Sequence, residues 1–504
     1  MGSDKCEVQE VKQPNILIIY ADQMRYDAMG CSGNPVIRTP NIDQLSADGV
    51  HFEEAYTSYP ICCPFRASVL TGKYAQNHGL IQNHFPLRGG QGFLAEFLRD
   101  AGYQTGYIGK WHLEGGPKPG FVPPDRRFGF DHFIGFNRGH DYQSSIYYDD
   151  AGQAYHSERY EPDYQTDQFI DFIETSAKKG EPFFGYLSYG PPHFPMDMPD
   201  HLRKIYRHEE VPLPPGVPDP ELQERVQKYR NDVLCGGDPR SGHKSHCSHE
   251  TKPVGEIESE AEIREFIAEY YGMIHNIDWN VGRIMKTLDH IGLAEDTLLI
   301  FLSDHGDMLG QHGSFCGIKN QGFRASMHVP LIARYPARFK PRRSKALIDV
   351  GVDMMATLLE LVGLSIPEGR DSRSYLAVLD GNATEHRSQL WYQVFRQTGG
   401  NPIEYTPYAE RGIRSKEWLY VRRKDHRAYL YDQLVDRDEQ VNLVNDPSYQ
   451  QLMESFDAQL AKHMNETGDD WDMTADFPPP DWITHAEAKL HLENVLLPTA
   501  IKVP

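Results

Sequence analysis

Two stretches, "NILIIYAD" (15–22) and "TLLIFLSD" (297–304), are apolar almost without interruption, and each ends on an aspartate. A strand with one wet face alternates apolar and polar residues. A strand covered on both faces reads as a continuous run, the signature of a parallel sheet packed between helices. The intervening chain keeps this pattern. "TPNIDQLSADGVHF" (39–52) reads as a short amphipathic helix stopped by Gly49, and "GFLAEFLRDAGYQTGYIGKWH" (92–112) as helix, glycine turn and strand. "QTDQFIDFIETSAKKGEPFFGYLSYGPPHFP" (165–195) repeats that order. Residues 262–296 read as a long helix pair leading into the second apolar run, and "VDMMATLLELVGL" (352–364) as another helix. Alternating helix and apolar strand predicts an α/β fold, a large and mainly parallel sheet sandwiched by helices.

From about residue 386 the pattern changes. "QLWYQVF", "AERGIRS", "EWLYVRR" and "AYLYDQL" are short strands separated by polar turns, followed by the amphipathic "SYQQLMESFDAQLAKHMNE". They predict a smaller C-terminal antiparallel-sheet subdomain with a helix on it. The expected division is a main α/β domain over 14–385, a small subdomain over 386–476 and a surface-wrapping tail over 477–504. Within the main domain, 212–256 is rich in Pro, Gly, Ser and His and reads as a loop insertion.

Asp22, Lys110, His112, His193, Asp304 and His305 all follow the carboxyl ends of predicted strands. Open α/β sheets bind their ligands outside those ends, so the pattern gathers charged and metal-binding side chains along one edge.

Composition narrows the possible partners. A formal net charge of -21 argues against a general nucleic-acid or anionic-membrane binder. Seven cysteines in 504 residues do not make a disulfide scaffold, although Cys235 and Cys247 could close one bridge in an oxidising compartment. No apolar run approaches the roughly 18 residues of a membrane span. The lead "MGSDKCEVQEVKQ" lacks an apolar signal core; a periplasmic or secreted protein whose signal has been removed is expected, with a cytoplasmic location as the alternative. His243, His246 and His249 read as a solvated loop, and the Asn382 and Asn465 sequons as chance matches.

"SYPICCPFRASVLTGKY" (58–74) holds two adjacent cysteines. A zinc site would want spaced pairs, a thioredoxin-like site two intervening residues, and a mutual disulfide would be strained. An inert buried cysteine is the plain alternative. Counted from Cys62, the pattern is C-x-P-x-R through Pro64 and Arg66, followed by Leu70, Thr71 and Gly72. This resembles the signature of the type I sulfatases of the alkaline phosphatase superfamily, in which the first cysteine is oxidised after synthesis to formylglycine. Cys63 does not fit that spacing. Phe65 departs from the pattern, standing where the family usually carries Ser or another small residue. The following residues look helical, which would put residue 62 at a helix N-terminus, where backbone N–H groups and the dipole favour an anion.

The resemblance extends over about residues 14–365, and "LYDQLVDRDEQVNL" also looks like the family's small subdomain. It implies a metal site of Asp22, Gln23, Asp304, His305 and residue 62, suited to Ca²⁺ and accepting Mg²⁺ or Mn²⁺. Gln23 stands where the family more often has a second Asp. Lys110 and His112 in "GKWHL" would contact sulfate and nucleophile, their i, i+2 spacing on an extended segment facing them one way. His193 in "PPHFP" and Lys319, ten residues before Val329, would protonate the departing alcohol. Arg66 would fix the formylglycine, and His112 would take its second proton. The implied reaction is hydrolysis of a sulfate ester, on a sulfated small molecule or glycan, by an enzyme that depends on formylglycine-generating machinery. Phosphonate monoester or phosphodiester hydrolysis is the second reading. A non-catalytic anion or glycan binder with unmodified Cys62 is the third. Residues around Asn83, His84, 137–147 and the small C-terminal subdomain are expected to read the sugar.

Overall fold

The computed structural model describes residues 13–217, 259–395 and 409–471, apart from residues 84, 117 and 315. Most of the expected insertion, with Cys235, Cys247 and its three histidines, and the whole tail from 477 lie outside the described residues.

The main sheet uses β1 (Asn15–Asp22), β2 (Val50–Tyr56), β3 (Gln104–Lys110) and β4 (His132–Phe136). After a separate ribbon of β5 (Ile146–Tyr148) and β6 (Ala154–His156), it continues with β7 (Phe183–Pro192), β8 (Thr297–Ser303), β9 (Leu331–Arg334) and β10 (Arg342–Asp349). The spatial order is β10-β2-β9-β8-β1-β7-β3-β4. Every pairing is parallel except those of β9, which runs against both its neighbours. The sheet is mainly parallel, as the apolar runs imply.

Central strand β1 shows why its run is continuous. Ile16, Ile18 and Tyr20 enter one hydrophobic core, while Leu17, Ile19 and Ala21 enter the core on the opposite face. Burying an aliphatic side chain of this size contributes about 1.5–3 kcal/mol, so a polar residue on either face would be costly.

The stretch read as a helix pair is one continuous helix, Glu260–His290. Gly272 and Gly282 do not break it. A Cβ at Gly272 would meet Leu202 O at 2.5 Å, and one at Gly282 would meet Asn41 Oδ1 at 2.3 Å. These glycines let neighbouring segments approach the helix closely.

The small sheet is antiparallel, in the order β11 (Leu390–Val394), β12 (Glu410–Arg414), β13 (Trp418–Arg423) and β14 (Arg427–Asp432). Ile413, Tyr420 and Leu430 pack against Met453, Phe456, Leu460 and Met464 of helix Gln450–Thr467. On its other face Tyr392, Val394, Leu419 and Val421 join Tyr59, Ile61, Met308 and Ile318 of the main body. The small sheet is thereby fixed beside the segment that leads into Cys62. Among the described residues, no helix is long and apolar enough to cross a membrane.

Candidate active site

Four neighbouring strands, β8, β1, β7 and β3, end at Asp304, Asp22, His193 and Lys110. The β1–β7 register shifts between Ala21 and Asp22, which sets Asp22 opposite Pro192, the residue before His193. Gln23 then turns away at φ 68, a left-handed conformation that L residues adopt at a cost. Its backbone N–H, donated to Asp304 Oδ1 at 2.9 Å, ties the ends of β1 and β8 together.

Cys62 opens helix Cys62–Thr71, as the sequence implies, and Gly72 ends it in the left-handed conformation. Ile61 offers no side-chain cap. Asn83 Oδ1 accepts the Cys63 N–H at 3.0 Å, so Asn83 braces the helix start. Cys63 and Phe65 point into the hydrophobic core. Phe65 has room because residue 351 is glycine: a Cβ there would meet its ring at 3.1 Å. The departure from the family pattern at residue 65 is thus accommodated in the core behind the helix.

Cys62 Sγ lies 3.3 Å from His305 Nε2 and 3.6 Å from Asp22 Oδ1. One donor atom each from Asp22, Cys62, Asp304 and His305 fall within 4.8 Å of one another, all buried. His305 Nδ1 donates to Gly306 O at 3.0 Å, which leaves Nε2 as the electron-pair donor toward the cluster. Asp304 Oδ1 accepts two backbone N–H groups, whereas its buried Oδ2 has no hydrogen-bond partner. An orphaned carboxylate oxygen beside a second carboxylate and an imidazole fits a divalent cation. Gln23 turns its Oε1 to Lys319 Nζ at 2.9 Å, and its Nε2 donates to Asp307 Oδ2 at 2.7 Å. Burial, then the Asp22 charge, push the Cys62 thiol up, so the unmodified thiol is a weak nucleophile.

Cations surround this cluster. Asp22 Oδ2 accepts Lys110 Nζ at 2.7 Å and Arg66 Nη2 at 3.1 Å. Burial raises the Asp22 carboxyl, but Lys110 and Arg66 outweigh it and hold the group well below the usual carboxylate range. Arg66 also donates to Ser188 Oγ at 2.7 Å and to Lys110 O at 2.6 Å, while its guanidinium lies over the Tyr20 ring. Across the site, Lys319 Nζ donates to His193 Nε2 at 2.5 Å. Burial first, then Lys319 and Lys110, keep His193 neutral.

The structure brings Asp22, Gln23, Cys62, Arg66, Lys110, His193, Asp304, His305 and Lys319 into one contact network. His112 is buried just beyond β3 but sits at φ 58, so the extended segment stops short of it and the i, i+2 facing argument fails there. Three residues escape the sequence reading, and a fourth, His140, lies inside the 137–147 stretch that it assigns to the sugar. Asp307 clamps Gln23 and the Gly317 N–H; Ser188 and Tyr107 hold Arg66; His140 stacks on His193. Asp307 stands in "SDHGD" and His140 in 137–147; Ser188 and Tyr107 carry no local signal.

Known proteins are similar to this chain over most of its length. The sulfatase family model matches residues 14–364, and the model for the C-terminal part of N-sulphoglucosamine sulphohydrolase matches residues 310–466. The chain belongs to the sulfatase family, enzymes that hydrolyse sulfuric esters. It is 30% identical over 466 residues to an ulvan-active sulfatase of Formosa agariphila, covering 92% of this chain and 83% of that protein. A structure described as bound to its substrate D-glucosamine-2-N,6-O-disulfate superimposes with a TM-score of 0.77 at 25% identity, over 92% of this chain and 100% of the other. A phosphonate monoester hydrolase of Agrobacterium radiobacter shares the fold, with a TM-score of 0.73 at 24% identity over 90% and 96% of the two chains. Membership implies a divalent metal and a formylglycine.

Proposed function

We propose that this sulfatase removes sulfate from a carbohydrate ester, with formylglycine made from Cys62 as nucleophile and Ca²⁺ held by Asp22, Gln23, Asp304, His305 and residue 62. Mg²⁺ or Mn²⁺ would satisfy the same oxygen-rich set. The observation that carries the reading is the meeting of Cys62 with Asp22, Asp304 and His305, flanked by Lys110 and Lys319. Once hydrated by one water, the aldehyde of residue 62 would offer one hydroxyl to displace the alcohol from sulfur and a second whose deprotonation would expel sulfate and reform the aldehyde, and a cation held there would supply charge neutralisation.

The chain's own groups take the remaining work. Asp22 anchors Lys110 and Arg66 in one place, so positive charge faces the incoming sulfate without rearrangement. Arg66, buried and held by Ser188 and Lys110 O, fixes the first turn of the nucleophile helix. Lys319 and His193 deliver the proton that the leaving alcohol needs. His112, buried just beyond β3, is the group we assign to take the second proton of residue 62. The carbohydrate assignment draws support from the ulvan-active relative and the glucosamine disulfate complex. A protein of the host that oxidises Cys62 is the partner this chemistry requires.

The second reading, phosphonate monoester or phosphodiester hydrolysis, rests on Gln23 in place of a second acid and on the shared fold. Measuring kcat/KM on sulfated sugars, aryl sulfates and aryl phosphonates decides between them. The sulfatase reading expects sulfate esters ahead; phosphonates ahead by orders of magnitude would overturn it.

A further inference from the structure

We propose that the loops 115–120 and 137–141 form a second anion subsite beside the sulfate pocket, so that the substrate carries a carboxylate or a further sulfate close to the scissile ester. This rests on the sulfatase reading above and narrows its substrate class to polyanionic carbohydrates.

The two loops are stitched together by their backbones. Asn137 N–H donates to Gly120 O at 2.8 Å, Arg138 N–H to Pro119 O at 2.9 Å, and Arg138 Nη2 to Gly116 O at 3.3 Å. Lys118 and Arg138 therefore share one rim. His140 joins that rim to the pocket. Its Nε2 lies 3.3 Å from Lys110 Nζ, and its ring stacks parallel on His193 at 4.3 Å. Lys110, Lys118, Arg138 and His140 thus form a basic arc running outward from the nucleophile, in a protein whose net charge is -21.

Such crowding works against the free protein. Burial first, then Lys110 and Arg138, lower the Lys118 pKa, with Asp141 opposing them. Burial, His193, Lys110 and Lys118 in turn keep His140 neutral. Lys118 thus feels the like charges of Lys110 and Arg138, and an anion bound among the three relieves that repulsion. Arg offers a planar fork that suits carboxylate and sulfate alike, and Lys a mobile point charge. In the proposed reaction the scissile sulfate meets residue 62 between Lys110 and Lys319, so a second anionic group is what the outer part of the arc would meet.

The test is calorimetric binding to the full chain carrying Cys62→Ala, with two matched pairs of probes. One pair is a sulfated disaccharide bearing a free uronate and its methyl ester; the other is a sugar with one sulfate and the same sugar with two. The free anion should bind about tenfold tighter in at least one pair, what one charge-assisted hydrogen bond contributes. Which pair responds distinguishes carboxylate from sulfate. Lys118→Gln with Arg138→Gln should bring that ratio to within about twofold, and Lys118→Gln alone, at an exposed position, should lower it in the same direction. Ratios near one in both pairs, or a ratio that survives the variants, overturn the subsite. Turnover of the singly sulfated sugar by unsubstituted protein reports separately on the sulfatase reading.

Discussion

Lys319 Nζ donates to His193 Nε2 at 2.5 Å. The imidazole donates its Nδ1–H to Phe194 O and accepts the ammonium at Nε2, so Lys319 is the proton store and His193 holds it in place. His193→Ala and Lys319→Ala should each cut kcat on alkyl sulfates by roughly 10²–10⁴-fold. Both should cost far less on nitrophenyl sulfate, whose phenolate leaves without help. Equal losses on both substrate types would remove the pair from the proton-delivery step.

The two cysteines should separate cleanly. Cys62→Ala should abolish turnover, a loss of about 10⁴-fold or more, as expected for removal of a covalent nucleophile. Cys63→Ala removes a buried core sulfur. It should cost about 1–2 kcal/mol of stability and leave kcat/KM within a few-fold. Thermal melts and kinetics on both variants check this, and a Cys63→Ala protein that folds yet has no activity would contradict the assignment.

Stripping the divalent ion with a chelator should stop turnover, and adding back Ca²⁺ should restore it. Asp304→Asn should weaken ion retention, since it converts the orphaned Oδ2 cluster to a neutral amide. Elemental analysis of protein as purified identifies the ion. Full activity in metal-free protein would exclude the proposed site.

Behind the nucleophile helix, Asp353 on helix Val350–Leu361 accepts Arg387 Nε at 2.7 Å and His386 Nε2 at 3.0 Å. Burial would raise its carboxyl, but Arg387 and His386 outweigh this and lower it to about 2. A depressed folded pKa stabilises the protein above the unfolded value, and that stability is lost as pH falls from about 4 toward 2. Its worth is about 2 kcal/mol. Asp353→Asn should destabilise by about 3 kcal/mol at neutral pH, because Arg387 loses its paired carboxylate and keeps only Asp349 as a charged neighbour. Unfolding of the variant should then show a weaker acid dependence than the parent between pH 4 and 2, as measured by denaturant melts; an unchanged dependence would argue against the pairing.

What could be read in advance follows from where physics leaves a compositional trace. Burial on both faces makes β1 and β8 continuous apolar runs, so the sheet and its loaded carboxyl ends were visible in 15–22 and 297–304. The long helix was not, because glycines serve turns and close packing alike, and only the neighbours Leu202 and Asn41 reveal the latter at Gly272 and Gly282. Left-handed backbone at Gln23 and His112 is imposed by tertiary contacts, and neither residue type announces it. His140 is a lone histidine on a loop; its place between Lys110 and His193 exists only once β3, β4 and β7 are side by side.

The central claim is that residue 62 works as an aldehyde. Mass spectrometry of the peptide spanning residue 62, from protein of the native host whose turnover has been measured, tests it most directly. The account predicts a species that has lost sulfur and gained oxygen at that residue, in proportion to activity. A fully active protein with an intact Cys62 thiol would contradict it.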